Sequence, residues 1–289
     1  MTALPPPSDV PGPTAPWWER RAAWLWESIV EGHIADHGPG EEVWYAVEVS
    51  AVGRLGIPEG RLVAADPYVM DSAPVPFDQR LPVAEADVLV ARATTDAGDK
   101  RVVALILRCG SSPISTWAMA TCAEQDLATL EPEGFFGYPV DAGTGALGGV
   151  DAMAVANRVL TEDAGMLEDP ISTALFADGN GTDAAVCVAP EEGAEPIAVC
   201  SSGWGDGSYP TWLGLDATGT VVVALTDFLL TTDPYAAPPA PPDEAPLPDA
   251  AQSRRDAGSN PGSPGPSLTG AASLSWGMTA IRRHRIPSL

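Results

Sequence analysis

RVVALILRC (101–109) is apolar without a break over 102–107, flanked by Arg101 and Arg108. A run this short, rich in branched residues and uninterrupted by polar positions, predicts a central β-strand covered on both faces. Just upstream, PVAEADVLVARA (82–93) reads as its neighbour, joined through Thr94 to Lys100 by Asp-Ala-Gly-Asp turn chemistry. Working outward, VWYAVEVS (43–50) alternates as a strand. RLGI, Pro58-Glu59-Gly60 and RLVAA read as a hairpin about a turn. ISTWAMAT (114–121) predicts a further strand, with a short helix over 123–130, and GFFGYPVDAGTG (134–145) a strand running into a glycine-rich loop. Helices are expected over 150–160 and 170–177. AAVCVA (184–189), PIAVCSS (196–202), TWLGLD (211–216) and TVVVALTDFLL (220–230) predict a closing meander. Closely spaced strands with short turns imply antiparallel pairing. The expected fold is α+β and β-dominated, with antiparallel sheets forming a sandwich or open barrel and a few packed helices.

The flanks differ from this middle. WWERRAAWLWESIVE (17–31) predicts a helix with Trp18, Ala22, Leu25 and Ile29 on one face and tryptophans widening it, docked on the domain. Residues 1–16 are rich in Pro, Ser and Gly and are expected to lack order. The Pro/Ala/Ser/Gly-rich stretch 236–289 buries too little apolar surface to order itself. A single globular domain over 17–235 follows.

Charge excludes several partners. The formal net charge is -24, and Lys100 is the only lysine. Phosphate backbones and anionic membrane surfaces are held by Lys and Arg, so nucleic acid and membrane are not expected partners. The field would steer a basic protein toward the chain. No apolar run approaches the ~20 residues needed to span a bilayer. The N-terminus lacks signal-peptide character, and the cysteines (Cys109, Cys122, Cys187, Cys200) include no C-x-x-C pair. A cytoplasmic chain with reduced thiols is the expectation.

Catalytic parts are sparse. No histidine occurs between Gly38 and Arg283, so Ser-His, Cys-His and His/Cys zinc constellations are hard to assemble. No metal site is expected, and His33 and His37 are interrupted by Gly38 and Pro39. No G-x-S-x-G and no phosphate-binding glycine motif is present. Asp/Gly loops remain, with Asp66 before Pro67, Asp141 opening Asp-Ala-Gly-Thr-Gly and Asp206 within Ser-Ser-Gly-Trp-Gly-Asp-Gly. Asp216 and Asp227 lie at later strand ends. Such loops serve as turn chemistry or as carboxylate sites. The 203–209 segment carries more glycine than a chain reversal needs, which singles out Trp204, Asp206 and Tyr209 with Asp66 and Asp141 as the candidate ligand loops.

Three stretches resemble the bacterial family called domain of unknown function 4241. They are VGRLGIPEGRLVAADP (52–67), FFGYPVDAGTG (135–145) and SSGWGDGSYPTWLGLDATG (201–219) followed by TDF (226–228). Glu59 stands where that family usually has serine, and Ala65 where it often has cysteine. The resemblance implies a fold and no activity. Two functions are therefore expected in parallel. One is a non-catalytic acidic binding protein of the immunity or accessory kind. The other is a carboxylate-based, metal-assisted hydrolase using clustered Asp loops. Whether the chain is an enzyme stays open, as does any cofactor.

Overall fold

The computed structural model describes residues 4–7, 11–38, 42–70, 73–95, 98–162, 169–177, 181–235 and 279–281. Strand pairs among them are all antiparallel. The apolar run 102–107 lies in β5 (Lys100–Arg108), inside a seven-stranded sheet ordered β1-β2-β4-β5-β13-β12-β6. Its neighbours are β4 (Glu85–Thr94), reached by the expected hairpin, and β13 (Val221–Asp227). The sheet is completed by β1 (His33–Asp36), β2 (Val43–Gly56), β6 (Thr116–Met119) and β12 (Thr211–Leu215).

A second sheet, β3-β8-β10-β9, contains β3 (Leu62–Ala65), β8 (Thr144–Gly149), β10 (Ile197–Ser201) and β9 (Ala185–Val188). A third, β11-β7-β14, contains β11 (Gly207–Tyr209), β7 (Phe135–Val140) and β14 (Thr279–Ile281).

Apolar residues sort into layers by the two-residue period of a strand. Val88 and Val90 of β4 face a core shared with Leu62, Leu147, Ala198 and Tyr138 from the smaller sheets. Leu89 and Ala91 face the opposite side, with Trp17, Leu25 and Trp26 of α1 (Trp17–Glu31). The period slips at β5, where Ala91 pairs with Ala104 but Arg92 with Val102, so Val103 is the extra residue of a bulge. On the outer face of the second sheet, Val63, Ala146 and Val199 pack against α2 (Val150–Glu162) and α3 (Pro170–Leu175). The layers run helix, sheet, sheets, helices, which is the β-dominated α+β class.

Helix α1 has the expected bounds. Gly32, at φ 81°, ends it, donating its N–H to the Ser28 carbonyl at 3.1 Å. The buried face includes Trp17 and Trp26 beside Ala22, Leu25 and Ile29, while Trp18 is only half-buried. Each fully buried large apolar side chain there contributes about 1.5–3 kcal/mol relative to exposure.

Four local expectations differ from the structure. The stretch about Pro58-Glu59-Gly60 is no hairpin, because β2 pairs with β4 in the first sheet and β3 pairs with β8 in the second. Glu59 and Gly60 both take positive φ, 57° and 67°, and this turn hands the chain from one sheet to the other. A Cβ at Gly60 would run into the Leu81 backbone, so glycine there serves close packing as well as the turn. The glycine-rich 144–149 is strand β8, feeding directly into α2. Its small residues let Tyr138, Phe228 and Met153 approach the backbone. The link between β10 and β12 likewise crosses between sheets instead of turning back as a meander. The expected helix over 123–130 is a 3-10 turn, Leu127–Thr129.

Within 1–16, expected to lack order, a described residue is tied to the domain. Pro5 is buried, and its carbonyl accepts from Trp26 Nε1 at 3.1 Å. Proline lacks an N–H but keeps its acceptor, and an indole supplies the donor. Of 236–289, all but Thr279–Ile281 lies outside the described residues. No helix among the described residues is long and apolar enough to cross a membrane.

Candidate functional site

Asp66 follows the last residue of β3 and is 1% exposed. Its Oδ1 accepts from Tyr68 N–H at 3.1 Å and Thr144 Oγ1 at 2.8 Å. Its Oδ2 accepts from Asp141 N–H at 3.0 Å and Ala142 N–H at 2.8 Å. A carboxylate offers about four lone-pair sites, so these donors saturate it. Burial raises the Asp66 carboxyl above the usual aspartate range, against the pull of the four hydrogen bonds. Asp66 is a clamp between β3 and the β7–β8 connection, with no free lone pair for a ligand.

The 203–209 loop adjoins that connection. Ser202 N–H donates to the Gly143 carbonyl at 3.0 Å. Inside the loop, Gly205 N–H donates to the Ser202 carbonyl at 2.9 Å, and Ser202 Oγ to the Gly205 carbonyl at 2.8 Å. Tyr209, 2% exposed, donates its hydroxyl to the Gly205 carbonyl at 2.7 Å and the Ser202 carbonyl at 3.2 Å. Burial pushes that phenol well above its ordinary value. Gly203 adopts φ 59°, and a Cβ there would sit 3.1 Å from the Phe228 carbonyl. Only glycine fits both demands without strain. β11 pairs with β7, setting Tyr209 opposite Tyr138. The three sequence stretches singled out above are thus contiguous in space.

What faces outward is Trp204, 49% exposed. Its Nε1 donates to the Leu230 carbonyl at 2.9 Å, and the Arg101 guanidinium lies over its ring, 4.3 Å from the centroid. Arg101 also donates to the Gly203 carbonyl at 3.1 Å and to Asp99 Oδ2 at 2.9 Å. Asp141 and Asp206 are exposed on the two adjoining loops. Of the sequence candidates, then, Asp66 and Tyr209 build the loops, while Trp204, Asp141 and Asp206 are presented by them.

Sequence reasoning missed a second network. Arg21 is fully buried and grips Asp227 with two hydrogen bonds, Nε to Oδ2 at 2.8 Å and Nη2 to Oδ1 at 3.0 Å. Its Nη1 reaches the Thr231 carbonyl at 2.8 Å and Asp233 Oδ2 at 3.3 Å. Asp227 also accepts from Trp212 Nε1 at 3.2 Å and Leu229 N–H at 2.8 Å. Burial works against the Arg21 charge, but the two carboxylates outweigh it and hold its pKa above the ordinary value. The signal in the sequence was an arginine four residues after Trp17 and four before Leu25, on the apolar face of the helix.

The thiols are poor nucleophiles. Burial pushes the Cys122 and Cys187 thiols up to about 11 and Cys109 up to about 12, so thiolate is scarce at neutral pH. His33 contacts Glu31 at 3.2 Å, and His37 contacts Glu42 at 3.1 Å. Among the described residues no group of three or more His, Cys, Asp or Glu side chains is placed to hold a metal ion.

No curated protein and no solved structure matches the chain. One family model does match, over residues 55–226, from the end of β2 through most of β13 and including Asp66, the β7–β8 connection and the 203–209 loop. On that match the chain belongs to the family described as Protein of unknown function (DUF4241).

Proposed function

We propose that the chain is a non-catalytic binding protein, of the immunity or accessory kind, that presents Trp204 to a basic protein partner in the cytoplasm of a bacterium. The observation that carries this reading is a large aromatic that is half exposed yet held on two sides, by Leu230 and by Arg101. Rigid aromatic anchors lose little entropy on binding and dominate interface energies. Exposed Asp206 in the same loop and the net charge of -24 favour a cationic surface opposite. The saturated Asp66 carboxylate and the raised thiols supply neither base nor nucleophile.

The test is a native pulldown with the wild-type chain, Trp204→Ala and Asp206→Lys. A basic protein retained by wild type and lost from both variants is expected. Equal recovery on all three baits, or none on any, would end the proposal.

A second reading keeps one observation. Asp141 and Asp206 leave exposed carboxylates on touching loops, the arrangement a carboxylate-based, metal-assisted hydrolase would draw on. Calorimetric titration with Mg²⁺ and Mn²⁺ distinguishes it. Binding abolished by Asp141→Asn would favour the hydrolase, and a flat titration removes it.

A further inference from the structure

A groove of about 640 Å³ opens beside the first turn of α1. Its floor is apolar, from Trp17, Trp18, Leu127, Leu130 and Tyr235, and Glu131 and Glu133 also line it. Leu127, 40% exposed, leaves apolar surface open in this lining. Arg20 is the opposing charge in the lining, and its guanidinium is engaged over the Tyr235 ring, 4.7 Å from the centroid.

Strand β14, from the far end of the sequence, runs toward this groove. It pairs with β7 in the register Thr279 to Gly137, Ala280 to Phe136 and Ile281 to Phe135. The direction is decisive, because at Ile281 the strand points toward the Gly134 end of β7. There the paired strand ends in a turn over 131–134, closed by Gly134 N–H donating to the Glu131 carbonyl at 2.8 Å. That turn is the acidic wall of the groove, and Phe135 packs against Trp17 on its floor at 6.3 Å.

The sequence that follows is Arg282-Arg283-His284-Arg285-Ile286-Pro287-Ser288-Leu289, which has three arginines and no acid in a chain of net charge -24. At ~3.3 Å per residue, an extended segment of this length reaches roughly 26 Å, more than a groove of this size requires.

We propose that segment 282–289 docks into this groove in cis. Its arginines would lie against Glu131 and Glu133, and Ile286 and Leu289 would cover Trp18, Leu127 and Leu130. The occupant is fixed by three facts together: the heading of β14, the charge of the wall and the apolar floor. This proposal shares no residue with the Trp204 loop and stands whether or not that loop binds a partner.

The experiment is hydrogen–deuterium exchange on the full chain, read at the amides of 134–137 and 282–289. It compares wild type, Arg282→Glu/Arg283→Glu/Arg285→Glu, Glu131→Lys/Glu133→Lys, and the combined variant. Each reversal alone is expected to speed exchange at both segments by about ten-fold, and the combination to restore protection to within about two-fold of wild type. Unchanged exchange in either single set, or no restoration in the combination, overturns the proposal. So does protection that grows with protein concentration while the chain sediments as a dimer, since a second copy's segment would then be the occupant.

Discussion

Two buried aspartates hold this molecule together, and they do it with opposite electrostatics. Asp66 and Asp227 each accept four hydrogen bonds from the protein. Every donor to Asp66 is neutral, and all of its partners lie within the family-matched stretch 55–226. Asp227 takes two of its four bonds from the guanidinium of Arg21, more than two hundred residues earlier and outside the match. The first clamp joins loops within the matched stretch to one another. The second straps helix α1 onto the sheet. A neutral clamp leaves the cost of burying a charge partly unmet, which is why the Asp66 carboxyl is raised. A charged clamp meets that cost but makes the carboxylate depend on a distant partner.

The largest expected effect comes from separating that partner. Arg21→Met leaves Asp227 and Asp233 buried without their cation and should cost about 3–5 kcal/mol in urea unfolding. A loss under about 1 kcal/mol would show that α1 is held by its tryptophans alone. Adding Asp227→Asn to Arg21→Met should recover at least about 1 kcal/mol of the loss, because the two side chains act as a pair. Asp66→Ala ranks next. It removes an acceptor from two backbone amides of the β7–β8 connection and from Thr144, at about 1–3 kcal/mol.

The Asp66 clamp also answers to pH. With the Asp66 carboxyl raised, the folded state holds its proton more tightly than the unfolded state does. Its contribution is fully present below the unfolded aspartate value and is lost as pH rises through the raised folded value. Wild-type stability should therefore fall relative to Asp66→Asn as pH climbs from the unfolded aspartate value through the raised folded one. A stability difference that is flat, or that grows in favour of wild type, would mean that the four hydrogen bonds outweigh burial.

Much of the sheet was legible because its strands announce themselves. The run over 102–107 sits centrally, and the β4–β5 hairpin falls where its turn residues predicted. Helix α1 was legible from the period of its apolar face. What escaped was partner choice. Pro58-Glu59-Gly60 and the 203–209 link look like hairpin turns, yet both carry the chain between sheets, and local turn chemistry does not record which sheet receives the next strand. Strand β8 escaped because Gly145, Gly148 and Gly149 lack strand propensity, their smallness serving close packing instead. At the candidate site the sequence pointed to loops that lie together in the structure but blurred two roles. Asp66 and Trp204 stood side by side as ligand candidates, and only burial separates a saturated carboxylate from an exposed ring. Arg21 was hidden because charge on a helix is read as a solvated face unless its partner, here at residue 227, is known.

The smallest expected effect tests whether the Trp204 loop depends on both clamps. Ser202 bonds the Gly143 carbonyl beside the Asp66 clamp. Trp204 Nε1 bonds the carbonyl of Leu230, one residue beyond Leu229, whose N–H is held by Asp227. The loop therefore rests one end on each carboxylate. Trp204→Phe keeps a ring beneath Arg101 but drops the bond to Leu230, a change worth about 1 kcal/mol or less. It should leave urea unfolding nearly untouched. Asp66→Ala and Arg21→Met change no atom of the loop, yet each should speed hydrogen exchange at Gly205, whose N–H closes on the Ser202 carbonyl. If Gly205 responds to only one of them under conditions where the fold persists, the loop hangs from that clamp alone, and the symmetry drawn between the two aspartates fails at the point where it matters for binding.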